Sequence, residues 1–283
     1  MPELPEVETI ARFLREGGRG EAGIVGAVVA EGEVFWPRTF VTPPETFRER
    51  LRGAAVEAVG RRGKYLWLRF GRRGFLVVHL RMSGDMVVVP PKAALPKHVR
   101  WVLRFSDGRA LAFDNPRKFG RTWLVPNLEA VTAGLGPDPF DEHLTAAAFY
   151  ARLQRRRRQI KPLLMTQTFL AGLGNIYTDE ALHRAGIHPQ TRAHCLNAAE
   201  AARLLAAIRT VLQEGMAANG ASIDWMYRGG GFQHAFRVYR RTGEPCPTCG
   251  APVQRMVVGQ RSTHFCPRCQ PLKTCESGGA SSR

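Results

Sequence analysis

Along the first sixteen residues, apolar side chains recur at Val7, Ile10, Ala11 and Leu14, the spacing of one helical face. Pro5 falls in the first turn, and Glu3, Glu6 and Glu8 complement the positive end of the helix dipole. A helix over 2–16 is therefore expected, ending at Gly17-Gly18. The pattern then changes. "GAVVAEGEVF", "KYLWLRF" and "GFLVVHLRMSGDMVVVP" read as strands, and "HVRWVLRFSDGRALAFD" as a hairpin turning at Asp107-Gly108. Rich in Val, Leu, Phe and Trp and alternating in places with Arg, these segments predict antiparallel sheets packed as a sandwich or flattened barrel.

The turn-rich stretch "NLEAVTAGLGPDPFDEHL" (127–144) reads as a linker. Beyond it the apolar period becomes helical, interrupted at "GLGN". Asn197 and Glu200 are spaced as a capping box, with Gly220 as a stop. The run "RRRR" (155–158) reads either as a solvated helix face or as a phosphate-facing patch. A Gly-rich loop, "RGGGFQHAF", precedes a cysteine-bearing segment, and "QPLKTCESGGASSR" reads as a disordered tail. The fold class is α+β.

Composition sharpens this picture. The chain has 283 residues, room for two domains, and a formal charge of +17 from 41 Lys and Arg against 24 Asp and Glu. Such a surplus points to a polyanionic partner held through counterion release, above all nucleic acid. No segment approaches about 18 uncharged apolar residues, so no membrane span is expected, and no strongly basic amphipathic helix with an aromatic edge suggests an anionic membrane surface. Six cysteines are too few for a disulfide scaffold. Cys246 with Cys249, and Cys266 with Cys269, form two CxxC pairs separated by 16 residues. A hairpin turning at Gly259 would bring them together as a closed four-thiolate Zn²⁺ site, structural rather than catalytic, in a reducing and hence cytoplasmic setting. Cys195 and Cys275 are expected as ordinary thiols.

"PELPEVE", "RRGKYL", "HLRMSG", "DNPRKFG", "AGLGNIYTDEAL" with "RAGIHP", and "QRSTHFCPRCQ" occur in that order over roughly residues 2–270. Together they resemble the formamidopyrimidine-DNA glycosylase family of bifunctional DNA repair enzymes. The resemblance implies an N-terminal β-sandwich catalytic domain led by a helix (1–130), a linker (131–145), a helix-two-turns-helix DNA-binding domain (146–237), a β-hairpin zinc finger (238–270) and a tail (271–283). It implies that Pro2, freed by removal of Met1, is the nucleophile. An α-amine titrates near ~8 against ~10.4 for lysine, so a useful fraction is unprotonated at neutral pH. Its attack on the deoxyribose C1′ expels the base and leaves an iminium, whose β- and then δ-elimination cut the strand.

On the same resemblance Glu3 is the acid/base, Glu6 supports the site, and Lys64 contacts phosphate and acts as general acid in strand cleavage. Met82, Arg117 and Phe119 fill the void left by the flipped base. Asn175, Arg261, Lys64, His79 and His98 contact phosphates, and Ser222 is a candidate for base contact in the loop 219–236. The expected partner is duplex DNA carrying oxidised bases or abasic sites, bound by a monomer associated with a bacterial nucleoid. The Met, Arg and Phe set favours 8-oxoguanine and formamidopyrimidines opposite cytosine. The loop 219–236 and "VYRR" (238–241) depart from the usual family wording, which leaves the range of bases open. The competing readings are an endonuclease VIII-like enzyme for oxidised pyrimidines and a non-catalytic zinc-ribbon DNA-binding protein.

Overall fold

A computed structural model describes residues 1–222 and 229–275. In chain order its regular elements are α1 (Leu4–Glu16), β1 (Val29–Val34), α2 (Pro44–Leu51), β2 (Ala58–Arg62), β3 (Tyr65–Arg69), β4 (Phe75–His79), β5 (Asp85–Val89), β6 (Val99–Phe105), β7 (Ala110–Asp114), β8 (Arg121–Val125), α3 (Glu129–Thr132), α4 (Ala146–Gln154), α5 (Ile160–Leu164), α6 (Asn175–Ala185), α7 (Ala198–Ala217), β9 (Gln254–Val258) and β10 (Arg261–Phe265). They pack as two units. One is Met1–Gly134 with Gly215–Gln233; the other is Leu135–Glu214 with the chain from His234 onward. The described residues of 215–233, at the end of α7 and beyond it, group with the N-terminal unit.

In the N-terminal unit, two antiparallel four-stranded sheets run in the orders β1-β6-β7-β5 and β2-β3-β4-β8. The β6–β7 hairpin turns where the sequence places it: Gly108 takes φ +87°, a conformation without steric cost only for glycine, and the Asp107 carboxylate accepts the Arg109 N–H at 2.9 Å. Leu66, Leu68, Leu76, Val78, Trp101, Leu103, Leu111 and Phe113 form one core with Val7, Ile10 and Leu14 of α1. Each such side chain stabilises the fold by about 1.5–3 kcal/mol through burial. Trp101 on β6 also donates its indole N–H to Thr122 on β8 at 2.9 Å, joining the two sheets. The helix α1 lies on β2 and β3, so its first turn is fixed by the sandwich rather than by propensity.

In the other unit, α5, α6 and the β9–β10 hairpin meet at a buried charge cluster. Lys161 and Asp179 are fully buried and pair at 2.6 Å. Asp179 also accepts the His264 backbone N–H at 2.9 Å, and Lys161 donates to the Ser262 carbonyl at 2.9 Å. A buried ion pair persists only when its remaining hydrogen-bonding capacity is used, and here the hairpin supplies the partners. Glu180, the next residue, accepts the backbone N–H groups of Arg237, Val238 and Tyr239 at 2.8–3.0 Å. The capping box of α7 forms as expected, with Asn197 N–H to Glu200 at 2.8 Å and Glu200 N–H to Asn197 at 2.9 Å.

Three expectations are corrected. The arginines 155–158 are not a helix face, since α4 ends at Gln154 and they follow it as an exposed turn. Cys195 and Cys275 are not ordinary thiols but a disulfide. Residues 271–275 of the expected tail are anchored: Lys273 pairs with Glu200 at 2.8 Å, besides the Cys275 link. The remainder of that tail lies outside the described residues.

Candidate active site and nucleic-acid interface

Pro2 is buried just before Glu3, the extended residue that caps α1. Glu3 and Glu6 are 3% and 2% exposed, far less than carboxylates on the first turn of a surface helix. The two oxygens of Glu6 are both engaged. One accepts the Glu3 N–H at 2.8 Å, and the other accepts the Ala221 N–H at 2.8 Å. Gly220 makes the second contact possible: its φ is +81°, and a Cβ there would stand 2.7 Å from the Glu6 oxygen. Arg12 adds a hydrogen bond to the Asn219 side chain. Glu6 and Arg12 therefore bind the chain leaving α7 to the helix that carries Pro2 and Glu3.

Lys64 follows Gly63 in the tight turn between β2 and β3 and is only 4% exposed. A lysine at a strand start is normally solvated, so its burial separates it from the other basic residues of the sheet. His79 lies opposite Tyr65 across the β3–β4 ladder, its ring edge-on to the tyrosine at 4.7 Å. Burial, reinforced by the positive charges of Arg81 and Lys64, pushes its pKa down to about 3. Its Nδ1 accepts the Arg81 N–H at 3.1 Å. The ring is therefore neutral at physiological pH with its proton on Nε2, a donor suited to a phosphate oxygen.

Met82 and Phe119 stand 44% and 51% exposed, against a core in which most large apolar residues of this unit are buried. They occupy two turns tied together by a residue absent from the sequence-level candidates. Asn115 is fully buried, donates to the Leu80 carbonyl at 3.3 Å and accepts the Gly120 N–H at 3.4 Å. Ser83 adds a bond by accepting the Arg117 N–H at 3.3 Å. Arg117 is exposed, with its guanidinium 5.4 Å from the Phe119 ring centre. His98 joins the same assembly through the Asn115 N–H, which donates to its carbonyl at 3.0 Å. Met82, Arg117, Phe119 and His98 are thus brought together. The signal for Asn115 was its place in "DNPRKFG", one residue before the proline.

In the second unit, Asn175 opens α6 and donates its side-chain amide to the Ser262 carbonyl at 3.0 Å. Arg261, the preceding residue, is exposed at the start of β10. These two predicted phosphate ligands are therefore placed together, one carried by the helix and one by the hairpin. The four thiols of Cys246, Cys249, Cys266 and Cys269 lie within 4.8 Å of one another, with Cys246–Cys269 at 3.9 Å and Cys249–Cys266 at 3.4 Å. A tetrahedron with Zn–S bonds of about 2.3 Å has edges of about 3.8 Å, so the donor set fits a structural zinc. Ser222 closes the base of the loop 219–236: its hydroxyl accepts the Gly230 N–H at 2.8 Å, and its own N–H donates to Gln233 at 2.8 Å. Residues 223–228 of that loop lie outside the described residues.

Three family models match successive parts of the chain. Residues 1–122 match the formamidopyrimidine-DNA glycosylase N-terminal domain, 135–226 the H2TH domain of that glycosylase, and 243–272 the zinc finger found in FPG and IleRS. A formamidopyrimidine-DNA glycosylase of Chloroflexus aggregans is 44% identical over 278 residues, 96% of this chain and 99% of its own. One from Ligilactobacillus salivarius is 41% identical over 282 residues, 97% of this chain and all of its own. Among solved structures, Lactococcus lactis Fpg (MutM) bound to N7-benzyl-Fapy-dG DNA is 36% identical with a TM-score of 0.87, covering 95% of this chain and 100% of that one. MutM in complex with carbocyclic 8-oxo-G DNA is 37% identical with a TM-score of 0.86, over the same shares.

Proposed function

Because the chain belongs to the formamidopyrimidine-DNA glycosylase family, we infer the roles of its residues from a DNA glycosylase with AP lyase activity, acting in base-excision repair of oxidised purines. Its partner is duplex DNA with a damaged base or an abasic site, and its zinc is structural.

Pro2, once Met1 is removed, attacks the deoxyribose C1′ through its secondary amine. The damaged base leaves and an iminium joins protein to sugar. That cation acidifies the C2′ proton, whose loss cuts the strand on the 3′ side, and a second elimination cuts the 5′ side. Glu3 is the acid/base for sugar opening, and Lys64 holds a phosphate and donates a proton in cleavage. Burial of the carboxylate of Glu3 and the ammonium of Lys64 supports both assignments, since charged groups withdrawn from water interact more strongly with reacting charge. Glu6 is a positioning residue, its oxygens already committed to Glu3 and Ala221. Asn175, Arg261, His98 and the neutral His79 bind phosphates, and this chemistry runs in the cytoplasm.

The observation that carries the purine reading is the exposed trio of Met82, Arg117 and Phe119 on two turns joined by Asn115. A thioether and a phenyl ring left in water fit a void in a base stack, and a guanidinium beside them can donate to the unpaired cytosine. Excision from duplexes containing 8-oxoguanine opposite cytosine or thymine glycol tests the reading. Faster excision of 8-oxoguanine is expected; a preference for thymine glycol would favour the pyrimidine-directed enzyme.

A further inference from the structure

One cluster takes no part in this chemistry. Cys195, in the turn before α7, is disulfide-bonded to Cys275 across a separation of 80 residues, with their Cα atoms 4.8 Å apart. His194 places its Nε2 3.2 Å from the Cys275 sulfur. Cys275 is exposed and Cys195 half-buried. Two residues before Cys275, Lys273 reaches the Glu200 carboxylate of the α7 capping box at 2.8 and 3.0 Å. The cross-linked loop contains α7 and the whole zinc hairpin, and Cys275 lies six residues after the last zinc ligand, Cys269. Its segment is also held upstream, where Gln270 accepts the Cys266 N–H at 2.9 Å and donates to the Ile187 carbonyl at 2.8 Å.

We propose that His194, Cys195 and Cys275 form a reversible thiol–disulfide site that, when oxidised, pins the chain end carrying Cys266 and Cys269 and slows zinc loss. Four zinc thiolates suit a reducing setting, where an exposed disulfide is open to exchange and its state follows the surrounding thiol pool. The oxidant is a low-molecular-weight disulfide. His194 Nε2 takes the Cys275 proton, and the thiolate attacks one sulfur of the oxidant, breaking its S–S bond and expelling one thiolate. Cys195, losing its own proton, then attacks the Cys275 sulfur and expels the second. Two cysteine thiols and one disulfide thus become one protein disulfide and two small thiols. Exposed Cys275 beside an imidazole is the attacking residue, and half-buried Cys195 the resolving one.

The test uses the full-length, zinc-loaded protein. Reduced protein is incubated with glutathione disulfide, free thiols are blocked, linked peptides are mapped, and zinc release to a chromogenic chelator is timed. The expected result is a Cys195–Cys275 link with zinc retained, and release several-fold slower than from the reduced protein. Cys275→Ser should release zinc at the reduced-protein rate with or without oxidant, and His194→Gln should form the link several-fold more slowly at neutral pH. Links among Cys246, Cys249, Cys266 and Cys269, absence of any link, or equal release rates from oxidised and reduced protein would overturn the proposal. An unchanged rate of linking in His194→Gln would remove the imidazole from it.

Discussion

Supporting side chains position the candidate reactive groups: Glu6 binds the Glu3 and Ala221 N–H groups, and Asn115 joins the turns that carry Met82 and Phe119. Pro2, Glu3 and Lys64 are proposed from the motifs that carry them; Asn115 is not, although it stands inside "DNPRKFG", because a buried amide joining two turns leaves no periodic trace in a sequence. Asn115→Ala should cost about 1–3 kcal/mol, because the buried Gly120 N–H loses the Asn115 acceptor, seen as a lower melting temperature, and should reduce base excision several-fold because the turn bearing Phe119 loses its tie to the Leu80 carbonyl. Wild-type stability and activity in that variant would mean the turns hold themselves. His79 makes a prediction in pH. Its folded pKa of about 3 lies below the ordinary 6.5, so the unfolded chain binds the extra proton first as pH falls. The stability it contributes is complete above about pH 6.5 and is lost as pH drops toward about 3. Urea unfolding across this window should show that decline, and His79→Gln should flatten it.

At the scale of elements, the legible parts are those whose signal is local. The helix α1, the Asp107-Gly108 hairpin, the α7 capping box and the paired CxxC units all depend on residues within a few positions of one another. Short β2 and β8 were missed because tertiary pairing defines them: β2 with β3, and β8 with β4 on the far side of a long connection. The Cys195–Cys275 link escaped for the same reason, its halves lying 80 residues apart. The arginines 155–158 misled because helical charge runs are common and nothing in the run itself marks where α4 stops. The β9–β10 hairpin is bonded to the buried Lys161–Asp179 pair and runs between the two cysteine pairs of the zinc site. Asp179→Ala leaves Lys161 charged and buried, so a loss of about 3–5 kcal/mol is expected in chemical unfolding. Cys249→Ser should weaken binding to lesion-containing and undamaged DNA alike, because zinc organises the strand bearing Arg261; unchanged affinity would remove the finger from DNA grip.

Over the whole molecule, a formal charge of +17 predicts a grip on duplex DNA that depends on salt. Affinity for duplex DNA should fall steeply as salt rises, and Arg261→Ala should reduce the slope of log affinity against log salt by about 1 without altering lesion preference. That separates holding DNA from acting on it. Among the described residues no helix is long and apolar enough to cross a membrane. The most direct measurement is borohydride trapping on an 8-oxoguanine:cytosine duplex, with the adduct digested and its attachment site mapped by mass spectrometry. The account predicts one covalent adduct, on the amine of Pro2 in chains lacking Met1, and its loss in Pro2→Gly while DNA binding persists. An adduct on a lysine side chain, or none from active protein with a free Pro2, would contradict it.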